Sequence, residues 1–195
     1  MKIILASKSP RRREILENLG VVFEIVTADT DETSAERDPR QLVELLSRRK
    51  GEAVWDRMLR EERELSDTVV ISSDTVVCVD GEILGKPRDE EDAKRMLRKL
   101  SGRRHEVVSG VCLIGQGKIG TAHEVTEVEF DELDEETVAR YVREQQPYDK
   151  AGAYAIQGAA SAYVCGIHGC YFNVVGLPVH RLCRLYEETF GEKFL

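Results

Sequence analysis

Thr68-Val-Val-Ile-Ser-Ser-Asp-Thr-Val-Val-Cys-Val79 decides the fold. Its branched apolar residues run on without polar alternation, which predicts a strand buried on both faces, too long and too apolar for a sheet edge. Asp80-Gly81 follows as a hairpin-turn dipeptide, and Glu82–Pro87 returns from it. Toward the N-terminus, Ile3–Ala6 predicts a short buried strand, Ser7–Pro10 a turn and Arg11–Leu19 a helix. Ser9 suits its N-cap, Pro10 its first helical position and Gly20 its stop. Val21–Thr27 is rich in β-formers. A second helix starts at Asp38-Pro39, where Asp38 and Gln41 have capping-box spacing, and the charged run Arg57–Glu64 reads as a solvated helix end or loop. Toward the C-terminus, a helix over Asp89–Leu100 precedes strands at His105–Ile114 and Ile119–Phe130. These are joined by the Gly-rich turn Gly115–Lys118. A helix near Asp134–Glu144, the small-residue stretch Ala151–Ala162, a strand pair and a helix over Pro178–Phe190 complete the chain. Alternating helices and strands with interspersed hairpins predict an α/β fold with a mixed twisted sheet flanked by helices. No repeat or linker interrupts it, so residues 1–195 are expected to form a single domain with two lobes around a cleft.

The 195 residues are 42% hydrophobic and 33% charged, enough apolar material for a real core. Acidic residues outnumber basic ones by 36 to 28, for a net charge of −8, which argues against a general nucleic-acid or membrane-surface binder. The five cysteines include no CxxC pair, as expected of a reduced, intracellular protein. The start, MKIILASKSPRR, has an apolar run too short for a signal peptide, and no segment approaches a membrane helix. A cytoplasmic protein is expected.

Three patterns carry less than they suggest. Gly115-Gln-Gly117-Lys-Ile-Gly120 matches GxGxxG, but β-prone residues follow where a dinucleotide site needs a helix, so a hairpin turn is predicted. Cys165, His168 and Cys170, with His180 and Cys183 beyond, fit no common zinc spacing, and buried structural thiols are expected instead. Arg11-Arg12-Arg13 is a weak nucleic-acid footprint on an acidic chain.

Chemistry concentrates elsewhere. Ser7, Lys8, Ser9, Arg11 and Arg12 gather at a helix N-terminus just after a strand. They form either an anion site suited to phosphate or a capped helix with a solvated basic end. Asp29, Asp31 and Glu32 make an acidic loop. Asp74 lies inside the long apolar strand, where an ionised carboxylate is costly unless paired, hydrogen-bonded or metal-bound. Lys86 sits in the Gly-Lys-Pro turn beyond it. Basic groups with a carboxylate loop and a strand carboxylate suit Mg²⁺-assisted phosphoryl chemistry.

Several segments resemble the Maf family of nucleoside-triphosphate pyrophosphatases. They are LASKSPRRREIL (Leu5–Leu16), SSDTVV (Ser72–Val77), GEILGKP (Gly81–Pro87), LSGRRHEVVSGV (Leu100–Val111), DKAGAYAIQG (Asp149–Gly158) and YFNVVGLP (Tyr171–Pro178). AGAYAIQG is similar to the branch hydrolysing dTTP and UTP rather than the branch acting on 7-methyl-GTP. The resemblance implies a fold similar to inosine-triphosphate pyrophosphatases and release of a nucleoside monophosphate and pyrophosphate. It also implies a divalent cation, usually Mg²⁺, and a possible homodimer. Asp74 matches the family's proton acceptor. Arg11, Thr75 and Gln157 match positions linked to substrate specificity. Glu32, Lys50 and Lys86 match polar residues lining the phosphate and metal site, and Ser7 and Ser9 belong to the first loop. Glu32 and Asp74 are the implied metal ligands. Gln157, with donor and acceptor on one amide, suits O4 and N3–H of thymine or uracil. Ser72-Ser73 stands where the family more usually has Gly-Ala, Lys50 lies in SRRKGEAV rather than an AxxKA pattern, and Ser109 replaces a common threonine. Two rivals stand beside this expectation: an enzyme of the 7-methyl-GTP branch, and a non-catalytic regulator of cell division.

Overall fold

The computed structural model describes residues 1–195. β3 (Thr68–Val79) is buried along its length except at half-buried Thr75. β1 (Lys2–Leu5) runs parallel beside it, Ile3 opposite Val69 and Leu5 opposite Ile71. β2 (Phe23–Ile25) is parallel to β1 on the other side. A parallel pair needs a crossover, and α1 (Pro10–Asn18) supplies it. At the far end of β3, β4 (Glu82–Leu84) returns antiparallel through Asp80 and Gly81, whose φ angles of 51° and 75° are the paired left-handed conformations of a tight hairpin turn. With β5 (Arg104–Gly115), β6 (Lys118–Phe130) and β7 (Val164–His168), these make a seven-stranded mixed sheet. Its order is β2-β1-β3-β5-β6-β7, with β4 on β3. The longer helices are α2 (Pro39–Arg60), α3 (Glu90–Leu100), α4 (Glu135–Gln145) and α6 (Val179–Phe190). None is long and apolar enough to cross a membrane.

The chain packs into two compact units, each discontinuous in sequence. The first comprises Met1–Asp74, Ser109–Glu124 and Gly176–Leu195; the second comprises Thr75–Val108 and Val125–Val175. In the first, Val54 and Met58 of α2 bury against Ile4, Val70, Cys112 and Ile114 of the sheet. Each such side chain contributes about 1.5–3 kcal/mol by leaving water. In the second, α3 buries Ala93, Met96, Leu97 and Leu100 on one face and is capped by Asp89, which accepts from the Asp92 amide at 2.8 Å.

Three expectations need comment. The GxGxxG stretch is a hairpin between β5 and β6, with Gln116 and Gly117 at φ 51° and 71°. The strand pair expected before the last helix is not formed: β7 is followed by a short helix, α5 (Tyr171–Val175). The physical reason is Asn173, whose buried amide donates to the Val107 carbonyl at 2.9 Å and to Thr126 Oγ1 at 3.0 Å. Thr126 Oγ1 in turn binds both the amide and the carbonyl of Cys170. That polar knot overrides the β-preference of Tyr-Phe-Asn-Val-Val. The thiols expected to be buried are not: Cys165 is exposed on the edge strand, and Cys170 and Cys183 are half-buried. Cys78 and Cys112 are the buried ones, and burial pushes the Cys112 thiol up to about 12.

Candidate active site

The first unit assembles a charged cluster around Asp74. Ser72 and Asp74 lie two residues apart on β3, hence on one face of the strand. Ser47 and Lys50 lie three apart on α2, hence on one face of the helix. Two contacts join these faces like rungs. Ser72 Oγ donates to the Ser47 carbonyl at 2.7 Å, and Lys50 Nζ meets Asp74 Oδ1 at 2.5 Å. Gly51, next to Lys50, makes the close approach possible, because a Cβ there would stand 2.8 Å from Ser72 Oγ and 3.0 Å from Ile114 Cδ1. Ser72 thus fits against α2 because glycine follows Lys50.

Lys50 also holds Glu32, with Nζ to Oε1 at 2.9 Å. The Asp74 and Lys50 side chains are only 11% and 18% exposed, whereas Glu32 is half exposed, so the cluster opens to solvent on the Glu32 side. The acidic loop that carries Glu32 is pinned from α2: Arg49 Nη1 donates to the Thr33 carbonyl at 2.8 Å and Arg57 Nη1 to the Thr27 carbonyl at 2.6 Å.

The turn after β1 contributes cations and hydroxyls. Ser9 occupies the N-cap of α1, yet its side chain makes no capping bond, and its amide donates to Ser7 Oγ at 3.1 Å. With no acidic residue in the first turn of α1, the positive helix terminus stays uncompensated. Arg12 reaches inward: Nε donates to the Gly176 carbonyl at 2.8 Å, the same oxygen that accepts from Ser73 Oγ at 3.0 Å. Desolvation lowers the Arg12 guanidinium pKa. The Asp74 carboxylate raises it, Arg11 lowers it and Glu32 raises it, so Arg12 senses the other three charges. Arg11 itself is half-buried on the first turn of α1.

The remaining expected residues lie in the second unit. Thr75, half-buried, is the next residue on β3. Lys86 is exposed in the loop after β4, and Gln157 is exposed between Ile156, which is buried, and Gly158. The backbone brings these two segments together, since the Gly152 amide donates to the Gly85 carbonyl at 3.0 Å. Gly152 is required there: its φ is 66°, and a Cβ would meet the Val77 side chain at 2.9–3.1 Å.

Among the predicted residues, then, Glu32, Lys50 and Asp74 converge by direct contact, with Ser7, Ser9 and Arg11 close along the chain to Arg12. The segments that carry Lys86 and Gln157 meet through the Gly152–Gly85 backbone bond. Sequence reasoning placed Arg12 in the basic cluster at the α1 N-terminus but gave it no inward partner. Its inward bonds depend on Gly176, 164 residues away, and no local pattern reports that. Asp74 and Glu32 are the carboxylates available to a cation, and no group of three or more His, Cys, Asp or Glu side chains forms a metal cage. Two carboxylates gathered on one ammonium fit the Mg²⁺ habit of binding one or two carboxylates together with substrate phosphates.

The Maf-like protein family matches residues 2–189. A dTTP/UTP pyrophosphatase of Pelotomaculum thermopropionicum is 46% identical, covering 100% of this chain and 99% of that protein. One from Carboxydothermus hydrogenoformans is 47% identical, covering 96% of this chain and 98% of the relative. One from Bacillus cereus is 47% identical, with coverages of 94% and 93%. Among solved structures, the Staphylococcus aureus Ham1 protein aligns at 17% identity with a TM-score of 0.48, over 67% of this chain and 72% of that one. Continuous matching of the chain, including the β1–α1 turn, the Asp74 strand and the Gln157 segment, establishes that it belongs to the Maf-like protein family.

Proposed function

We propose that the chain hydrolyses the α–β phosphoanhydride of dTTP and UTP, releasing the nucleoside monophosphate and pyrophosphate. The observation that carries this function is a buried strand carboxylate, Asp74, held by Lys50 beside Glu32 and the Arg12 guanidinium, in a chain whose relatives bear that activity in their names. Asp74 takes a proton from the attacking water as its oxygen bonds to phosphorus and the bond to the leaving pyrophosphate breaks. Lys50 fixes the orientation of the carboxylate through its 2.5 Å contact and, with Arg11, Arg12 and Lys86, supplies positive charge to the triphosphate and the leaving group. Ser7, Ser9 and the uncapped α1 terminus add hydroxyl and amide donors suited to phosphate oxygens. A divalent cation, taken as Mg²⁺, would be held by Asp74 and Glu32 and would supply charge neutralisation and a more acidic water. Gln157 reads the pyrimidine, its amide complementary to the O4 and N3–H of uracil and thymine and mismatched to cytosine, while Thr75 and Arg11 contribute to the same choice.

A panel of dTTP, UTP, CTP and 7-methyl-GTP, assayed for pyrophosphate with and without EDTA, tests the proposal. Pyrophosphate from dTTP and UTP, lost on chelation, is expected. A strong preference for 7-methyl-GTP, or release of orthophosphate alone, contradicts it.

A further inference from the structure

The exposed amide of Gln157 selects a base only if its backbone is held still, because a glutamine free to swing satisfies a uracil edge or a cytosine edge alike. The segment before it has little regular structure: a single 3₁₀ turn over Ala151–Ala153, with both Gly152 and non-glycine Ala153 at positive φ (66° and 61°). Such a backbone is costly for alanine and persists only where surroundings impose it. Beside the Gly152–Gly85 backbone bond, a second contact that holds the turn lies deeper. Tyr154 ends the turn and is buried, and its hydroxyl meets Nε2 of buried His105 on β5 at 2.8 Å. The two rings and Phe130 of β6 form a closed edge-to-face trio. Centroids stand 5.4 Å apart for His105–Tyr154, 5.0 Å for His105–Phe130 and 4.8 Å for Phe130–Tyr154. Beyond Gln157, the Gly158 carbonyl accepts from the Ser161 hydroxyl at 2.6 Å and from its amide at 3.0 Å. Gln157 therefore lies three residues after a buried anchor, Tyr154, and one before a local turn at Gly158, and His105 is the polar partner of that anchor.

We propose that His105, acting through Tyr154, is a positioning residue for base selection: it holds the Ala151–Gly158 segment so that the Gln157 amide presents one fixed edge. This rests on Gln157 as the reader of the base, and the variants below separate the two. His105 is buried, and its Nε2 meets the Tyr154 hydroxyl, so it acts through that residue. Burial holds its imidazole pKa down at about 4, so the ring stays neutral and able to share one proton with the tyrosine hydroxyl at working pH.

The test is kcat and KM for UTP and CTP in wild type, Tyr154→Phe, His105→Leu, His105→Gln and Gln157→Ala. Tyr154→Phe keeps the ring trio and removes only the hydroxyl. It is expected to lower the UTP-to-CTP ratio of kcat/KM by about fivefold or more, the scale of one lost buried hydrogen bond, through KM for UTP while kcat stays within about twofold. His105→Leu should match or exceed that loss, and His105→Gln, which keeps a polar partner for Tyr154, should retain more of the ratio. A merely structural role would lower stability and slow both substrates alike, leaving the ratio intact. An unchanged ratio in Tyr154→Phe alongside a collapsed ratio in Gln157→Ala overturns the positioning role and leaves the reader in place. An unchanged ratio in Gln157→Ala removes the reader, and the positioning role with it. If His105→Leu does not fold, Tyr154→Phe alone decides.

Discussion

The cluster around Asp74 and the segment that ends at Gln157 are held by opposite means. In the first unit, formal charges hold one another: Lys50 bridges Asp74 and Glu32, and Arg12 senses both carboxylates. In the second, neutral groups hold a backbone: a histidine, a tyrosine and a phenylalanine ring fix a turn that local propensity disfavours. The difference suits the tasks. Charge stabilisation of a triphosphate needs strong fields at fixed points, whereas base choice depends on the orientation of one uncharged amide. Disturbing the first region should therefore cost rate on every nucleotide, and disturbing the second should cost discrimination.

The largest effect expected is on turnover. Asp74→Asn keeps the size of the side chain but removes the proton acceptor and the ionic partner of Lys50. It should lower kcat at least ~100-fold, the low end for lost general base catalysis. Triphosphate binding should survive, because the cations remain. Steady-state kinetics with a separate binding titration checks both halves, and near-normal turnover would remove Asp74 from the mechanism.

The next effect belongs to the aromatic trio. Burial holds the His105 pKa at about 4, against 6.5 for a free histidine. Between those values the unfolded chain takes up a proton that the folded chain refuses. The contribution is therefore complete above pH 6.5 and is lost as pH falls toward 4, by about 3 kcal/mol over the whole window. Urea unfolding at pH 7 and pH 4.5 should show this loss in wild type and a flatter difference in His105→Leu. Parallel pH dependence in the two proteins would mean the imidazole is not buried neutral.

A comparable but reversible effect is expected where α2 meets β3. Gly51→Ala places a Cβ 2.8 Å from Ser72 Oγ, which the Ser47 carbonyl holds in position. Overpacking of this kind costs about 1–3 kcal/mol, and it pushes Lys50 away from Asp74. Ser72→Gly in the same chain should restore most of the stability and the rate. Unfolding midpoints and kcat for the two single variants and the double variant read this directly, and strict additivity would show that the two positions do not compete for space.

Much of the frame was legible because its signals are local. The uninterrupted apolar run of β3, the Asp80-Gly81 turn and the caps at Asp38 and Asp89 are each fixed within a few residues, and the structure has them in place. Asp74 was legible as a charge where charge is costly. What it is paired with was not legible from spacing, since Lys50 lies 24 residues away on another element and entered only through family resemblance. The inward turn of Arg12, the knot that makes Tyr171–Val175 helical and the His105–Tyr154 bond all depend on partners distant in sequence. In each case tertiary contacts override what neighbours along the chain would prefer. Exposed Cys165 erred the other way: apolar neighbours suggested burial, but its strand lies at the sheet edge.

The central claim is that chemistry and base choice are carried by separate regions, and a crossed measurement tests it most directly. It compares kcat/KM for UTP and CTP, read as pyrophosphate release, in wild type, Asp74→Asn and Gln157→Ala. The account predicts that Asp74→Asn lowers both substrates by the same large factor and preserves their ratio, while Gln157→Ala draws the ratio toward one. A UTP-to-CTP ratio that collapses in Asp74→Asn, or survives intact in Gln157→Ala, would contradict it.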